Sequence, residues 1–341
     1  MQNTIDISLE GDEKFLAQLF SFTSEKSASG LTNLETFIGH FVNQTLQRDG
    51  LFGAWAKVWK IDTGYNLKIS SPHHDLSRYS TAIPEFIAAG GLALEILQQN
   101  QEKLDEVIKS TGKPMQFILP WGLALGKVKS VQMLHFPPIE AFIYSDYIFS
   151  PTNRRWENLL GYNGLDPIDF PKFESIVDCV PIGAPGGDTQ GITPFNQTFG
   201  PYIKKMLQAR LTSNGFQTQP VIACGSPVHD LLQAMFPDQI TCKPKTLDIL
   251  KIKLYDDGTI TPFLIANHPS QYLYFTDKPF SEEKKNVLMQ DLIATGWQSR
   301  MSENFNGTSE EILEDLKTFW TNHPDFEKIM AQEDLAYNFK A

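Results

Sequence analysis

Cysteine is scarce: Cys179, Cys224 and Cys242 are the three thiols in 341 residues. They are odd in number and far apart, which excludes a disulfide framework and leaves no pair spaced to clip zinc or an iron–sulphur cluster. Such usage fits a reducing compartment. No stretch approaches the roughly 20 apolar residues needed to span a bilayer. Met1 to Asp6 also lacks the basic start and apolar run of a secretion signal. A cytoplasmic protein without a membrane partner is the expectation. Internal repeats and low-complexity tracts are missing too, which excludes solenoid and fibrous architectures.

Positive charge is in deficit, with a net charge of -11. Phosphate contacts need Lys and Arg, so the balance weighs against general nucleic-acid affinity. The distribution softens this: residues 1–170 hold 19 acidic and 14 basic side chains, residues 171–300 hold 12 of each, and residues 301–341 hold nine and three. In the neutral stretch Lys204, Lys205, Arg210, Lys243, Lys245, Lys251 and Lys253 outnumber Asp230, Asp238 and Asp248. That is enough for a local basic face or for an ordinary mixed surface.

What is present divides the chain into three parts. Residues 1–113 read mainly as helices, at Lys14 to Phe22, Leu31 to Gln47 and Ala82 to Ile108, with a hairpin in Phe52 to Ile69 around Asp62-Thr63-Gly64. Residues 114–300 begin with Pro- and aromatic-rich sequence in which Met115 to Leu119 and Ala141 to Phe149 resemble strands, while Pro137-Pro138 interrupts regular structure. Segment 151–175 reads as loop and short helix. An alternation then sets in: strand 175–182, helix 199–213, strand 220–224, helix 226–236, strands 249–254 and 260–266, helix 281–295. That order predicts an α/β fold, a three-layer αβα core around a largely parallel sheet, with ligands at the carboxyl ends of its strands. Residues 301–341 read as acidic helices, Ser309 to Thr321 and Pro324 to Gln332, packed on the outside.

Two loops carry candidate chemistry. Gly183-Ala184-Pro185-Gly186-Gly187-Asp188 follows the apolar run Ile176 to Ile182, and continues to Phe195 and Asn196. It has neither dinucleotide-binding glycine spacing nor the Lys-Ser/Thr of a phosphate loop. Asn267-His268-Pro269-Ser270 follows the run Pro262 to Ala266, and a histidine in a rigid loop at a sheet edge can bind or catalyse. Ser270 and Asn267 can orient a substrate. Ser270 lacks the elbow sequence of an activated nucleophile.

Three segments together resemble the uracil-DNA glycosylase superfamily. Gly183-Ala184-Pro185-Gly186-Gly187, then Gln190-Gly191 and Pro194-Phe195, resembles its G-x-A-P-G…Q-G-x-P-F first motif after the first core strand. Pro220 to Leu232 (PVIACGSPVHDLL) resembles a strand, glycine turn and helix of that family, and His268-Pro269-Ser270-Gln271-Tyr272-Leu273 resembles its H-P-S motif. The likeness spans residues 174–297. It implies a DNA glycosylase that hydrolyses the N-glycosidic bond of uracil or another modified pyrimidine, extruded from single- or double-stranded DNA, without metal or cofactor.

Residue by residue, the resemblance makes His268 the hydrogen-bond donor to the departing base and Phe195 its stacking partner. Gly183, Ala184, Pro185 and Gly186 would form the backbone wall, and Asn267 and Ser270 would flank the donor. Asn196 would read a base edge or cap the next helix. Where the family keeps a water-positioning carboxylate or amide this chain has Gly183 and Ala184, so Asp188 is the nearest substitute. A nucleoside or nucleotide N-glycoside hydrolase suits the negative charge, and a non-catalytic module binding nucleic acid or a modified base suits the missing group.

Other features stand apart. Ser71-Pro72-His73-His74-Asp75 has metal-ligating types, but adjacent histidines diverge and no third ligand is identifiable, which favours a surface loop. Asn153-Arg154-Arg155-Trp156 reads equally as a phosphate and base contact or as an internal contact between parts of the fold. His229 reads as packing or helix-end chemistry.

Overall fold

The computed structural model describes residues 2–20, 31–48, 51–77, 79–111, 116–117, 129–135, 151–166, 169, 173–179, 182–183, 200–205, 207–208, 219–272, 281–303 and 307–337. The chain is mixed α/β. It opens with strand β1 (Thr4–Glu10), helix α1 (Glu13–Leu19), helix α2 (Leu34–Arg48), strands β2 (Trp55–Ile61) and β3 (Gly64–Ser70), and helices α3 (Tyr79–Gln99) and α4 (Gln101–Thr111). The predicted hairpin forms around Asp62-Thr63, and β1 adds to it, giving an antiparallel sheet in the order β1-β3-β2. Ile5, Ile7 and Leu9 alternate with exposed residues along β1 and turn inward beside Leu67 and Ile69, the period-2 pattern of a one-sided sheet.

The Ser71 to Asp75 segment ties this sheet to α3. Ser71 Oγ accepts from the backbone N–H groups of His73 and His74, and Asp75 accepts from those of Gln2 and Ser77. Among the described residues no group of three or more His, Cys, Asp or Glu could hold a metal ion.

The second part contains strands β4 (Gln116–Phe117) and β5 (Ser130–Leu134), helix α5 (Pro151–Tyr162), and strands β6 (Glu174–Asp178), β7 (Ile182–Gly183) and β8 (Val221–Cys224). Helix α6 (Ser226–Met235), strands β9 (Ile249–Lys253) and β10 (Ile260–Ala266), and helices α7 (Glu282–Ser302), α8 (Ser309–Thr321) and α9 (Phe326–Tyr337) complete it. The main sheet has the order β6-β5-β8-β10-β9. Its first four strands are parallel, and β9 runs antiparallel to β10 at the edge. From β5 the chain moves outward to β6, then returns past β5 to β8 and β10. The direction of winding therefore reverses between β5 and β8, where an open α/β sheet leaves a crevice.

β5 and β8 are buried at every residue and β10 at all but the first, as expected of strands covered on both faces. Alternate residues divide between two clusters. Val131, Met133, Val221, Ala223, Phe263 and Ile265 join a core that continues through α6 into the N-terminal sheet. Leu134, Ile222, Cys224, Leu264 and Ala266 join the core of α5, α7, α8 and α9.

Several sequence expectations change here. β5, the second strand from one edge, lies in a segment that carried no strand expectation. The expected single strand 175–182 is two, because β6 joins the main sheet while β7 pairs antiparallel with β4 in a separate ribbon. Segment 151–175 supplies a full helix, α5. The C-terminal helices are not external: Trp320 and Met330 are buried, and α8 begins with a reciprocal capping box between Thr308 and Glu311. The expected strand Ala141 to Phe149 lies outside the described residues.

α7 is buried without interruption from Asp291 to Ser299. At Gly296 a Cβ would lie 2.5 Å from Asn163 Oδ1 and 2.7 Å from Leu316 Cδ2. Asn163 cannot yield easily, because its amide donates to Leu292 O and its Oδ1 accepts from Trp320 Nε1. Gly296→Ala is therefore expected to destabilise the fold by about 1–3 kcal/mol through overpacking, seen as a lower urea midpoint at unchanged slope.

Candidate functional site

Three strand ends meet at the reversal point. β10 ends at Ala266, and Asn267 and His268 follow; Gln271 N–H donates to His268 O at 2.8 Å and closes a turn through Pro269 and Ser270. β8 ends at Cys224, and Gly225 N–H donates to Ala266 O at 2.9 Å. Gly225 has φ +87°, and a Cβ there would stand 3.2 Å from His268 Cβ. Glycine thus serves both the left-handed turn and the close approach. α6 starts directly after it, with Pro227 in its first turn, where a missing N–H costs nothing. β5 ends at Leu134, and the buried His135 follows it.

The state of the His268 ring follows from its partners. Nδ1 lies 3.2 Å from Ser270 N and 2.7 Å from Ser270 Oγ. A backbone N–H can only donate, so Nδ1 is an acceptor and the hydroxyl donates to it as well. Desolvation first, and the neighbouring His135 second, lower the His268 pKa to about 4. The ring is therefore neutral near pH 7, and its one proton sits on Nε2. As a residue His268 is partly exposed at the carboxyl ends of the strands.

Asn267, expected to orient substrate, has a structural task instead. Its Nδ2 donates to Gln290 Oε1 at 2.9 Å and to Asp291 Oδ1 at 3.1 Å, while its Oδ1 accepts from Thr246 Oγ1 at 3.2 Å. The whole amide is occupied in the interior. Arg155 is likewise an internal residue rather than a phosphate contact. Fully buried on α5, it donates to Pro269 O at 2.8 Å, pairs with Asp291 at 2.7 Å and Glu333 at 3.2 Å, and lies 4.4 Å from the Tyr272 ring centroid. Trp156 is buried beside it and donates to Gln298. His229 packs inside α6 with Nε2 3.2 Å from Ala223 O.

The first-motif residues have a different placement. Gly183 ends β7 and pairs with Gln116, after the second parallel strand rather than the first. The first parallel strand is β5, and the residue at its end is His135. Ala184, Pro185, Gly186, Asp188, Phe195 and Asn196 lie outside the described residues. Of the lysines expected to face a phosphate backbone, Lys243 pairs with Asp230 and Lys251 with Glu310.

His135 and the Asp291–Arg155 pair escaped the sequence reading. A signal for the first existed: Val131, Met133 and Leu134 run up to His135 just before the Pro-Pro break, which is a strand end. No local signal marks Asp291, whose partners lie on other elements. No protein-family model matches the chain, and no curated protein matches it.

The network behind the loop holds three carboxyl groups, Asp291, Glu333 and Asp334, and two cations, Arg155 and Lys284; Lys284 pairs with Asp334, which also accepts from Tyr272 Oη. Burial pushes the Glu333 carboxyl up to about 7 against the pull of Arg155, with Asp291 adding to the rise. Burial raises Asp291 as well. A carboxyl raised in the folded state binds its proton more tightly there than in the unfolded chain. Its stabilisation is complete below the unfolded value of 4.5 and is lost as pH rises through 7. Urea unfolding is expected to show a fall of roughly 3 kcal/mol in stability between pH 4.5 and pH 8 from this group. Glu333→Gln should flatten that slope; an unchanged slope would count against the assignment.

Proposed function

We propose that the chain is a DNA glycosylase, a three-layer αβα enzyme that hydrolyses the N-glycosidic bond of uracil or another modified pyrimidine. The reading rests above all on His268, a neutral imidazole held with Nε2–H as its donor at the reversal point of a parallel sheet. Breaking the bond between C1′ and the base leaves the electron pair on the base and positive charge on the sugar. A fixed donor at a base oxygen stabilises that pair as it develops. A neutral donor suits the task because burying a cation would cost desolvation before any reaction began.

Water then adds to C1′, and the proton it releases neutralises the departed base. Asp188 is the acidic residue that the family resemblance offers for holding this water, and Phe195 is the ring it offers for stacking. Gly225, without a side chain, lets the turn after β8 pack closely against His268. The unbridged thiols accord with a cytoplasmic setting.

A second reading, hydrolysis of a free nucleoside or nucleotide, draws support from the net charge of -11 and from the ion pairs that engage Lys243 and Lys251. The deciding experiment incubates the protein with single- and double-stranded oligonucleotides carrying uracil or modified pyrimidines, and with the corresponding nucleosides. Free base and alkali-labile sites from DNA support the glycosylase; release from nucleosides alone supports the second reading. Salt-sensitive DNA binding without release would identify a binding module and remove the enzymatic proposal.

A further inference from the structure

We propose that Asp291 and Arg155 are positioning residues for His268, acting through the peptide plane between Pro269 and Ser270. This deepens the reading above, since it concerns the same donor, but its test reads the ring directly and needs no base release.

The two faces of one peptide unit carry the argument. Arg155 Nη1 donates to Pro269 O at 2.8 Å, and the N–H of the same planar unit, on Ser270, donates to His268 Nδ1 at 3.2 Å. In a trans peptide the carbonyl and the N–H point in opposite directions, and the unit is stiff. Pinning the oxygen from within the protein therefore aims the N–H at the imidazole. That N–H makes Nδ1 the acceptor and leaves the ring proton on Nε2. The guanidinium is itself held by Asp291 Oδ2 at 2.7 Å, with the Tyr272 ring against its face. The other oxygen, Asp291 Oδ1, accepts from Asn267 Nδ2 at 3.1 Å. One carboxylate thus grips the chain on both sides of His268, directly at residue 267 and through Arg155 at residue 269.

The chemistry of the anchor favours orientation over mere cohesion. A buried ion pair adds little stability over well-packed apolar groups, whereas the fixed fork of a guanidinium sets direction. Lys284 pairs with Asp334, and its Nζ lies 4.7 Å from the Tyr272 ring centroid. It belongs to the same buried network and so serves as an internal control. His135 is the titratable neighbour that acts on His268 from β5.

The test is 15N NMR of the histidine rings in the full-length protein, with His268 assigned by its loss in His268→Ala. The native ring is expected as a single Nε2–H tautomer that titrates near 4. Arg155→Lys, which keeps the charge and loses the fork, and Asp291→Asn should each give mixed tautomers. Ser270→Ala keeps the backbone donor and should keep the native tautomer. Lys284→Met should lower the melting temperature and leave the ring signal in place. A folded Arg155→Lys or Asp291→Asn protein with the native tautomer overturns the proposal. So does loss of the tautomer in Ser270→Ala, which would give the task to the hydroxyl. An equal shift in Lys284→Met would make it a general consequence of instability. Should neither Arg155→Lys nor Asp291→Asn fold, the native protein decides: a His268 ring in the Nδ1–H tautomer, or in mixed tautomers, overturns the proposal.

Discussion

Arg155→Ala is expected to cost about 3–5 kcal/mol of unfolding free energy, the range for breaking a buried ion pair from one side. The side chain is fully buried and so are both carboxylate partners, Asp291 and Glu333, so neither can recover its lost partner from water. Pro269 O loses its donor in the same step. Part of the cost is relieved if Glu333 takes up a proton, and its raised pKa makes that easiest at low pH. The loss should therefore be smaller near pH 5 than near pH 8. Lys60, whose pair with Glu13 is more than half exposed on both sides, supplies the contrast. Its alanine variant should unfold indistinguishably from the parent, because exposed pairs are screened and entropically costly. Urea unfolding of the two variants at both pH values checks the argument. A loss below about 1 kcal/mol for Arg155→Ala at pH 8 would mean that the interior is wetter than the packing around α5 and α7 implies.

These charges also show what was legible in the sequence. β8 and β10 were legible because each is an apolar run closed by a residue that breaks the pattern, Gly225 in one case and Asn267-His268 in the other. Both runs end where the sheet presents its ligand edge. α8 could be read from Thr308 and Glu311, since a capping box is a local interaction three residues apart. β5 was not legible. Gln132 interrupts its apolar run, and its amide nitrogen donates to Cys224 Sγ on the adjacent strand, 92 residues away. The fate of Arg155 turns on Pro269 and Asp291, and that of Glu333 on Arg155; no window of adjacent residues contains those pairs. An acidic stretch at the C-terminus looks like solvated surface until its cations are found on α5 and α7. Asn267 shows the same limit in the site itself, because a loop amide next to a histidine looks like a substrate contact whether or not a buried carboxylate already holds it.

The largest functional effect is expected at His268. If its Nε2–H stabilises charge on a departing base, His268→Ala should lower single-turnover base release by about 10²–10³-fold, the usual effect of removing one preorganised donor. Substrate binding should change little, because the donor contributes most when the bond is nearly broken. The pH profile separates this role from that of a charged histidine. With the ring pKa lowered to about 4, the rate should show no His268 inflection between pH 6 and pH 8. Below that value the ring gains a proton on Nδ1, which then opposes the Ser270 N–H and releases the turn. Activity should therefore fall on the acid side, where a simple imidazolium donor would instead grow stronger. His268→Gln offers an amide donor without a titrating group and should retain part of the rate with no acid limb from this position. An inflection near 6.5 that disappears in His268→Gln would show that the ring works as a cation, and the neutral-donor mechanism would then be wrong even if base release itself were real.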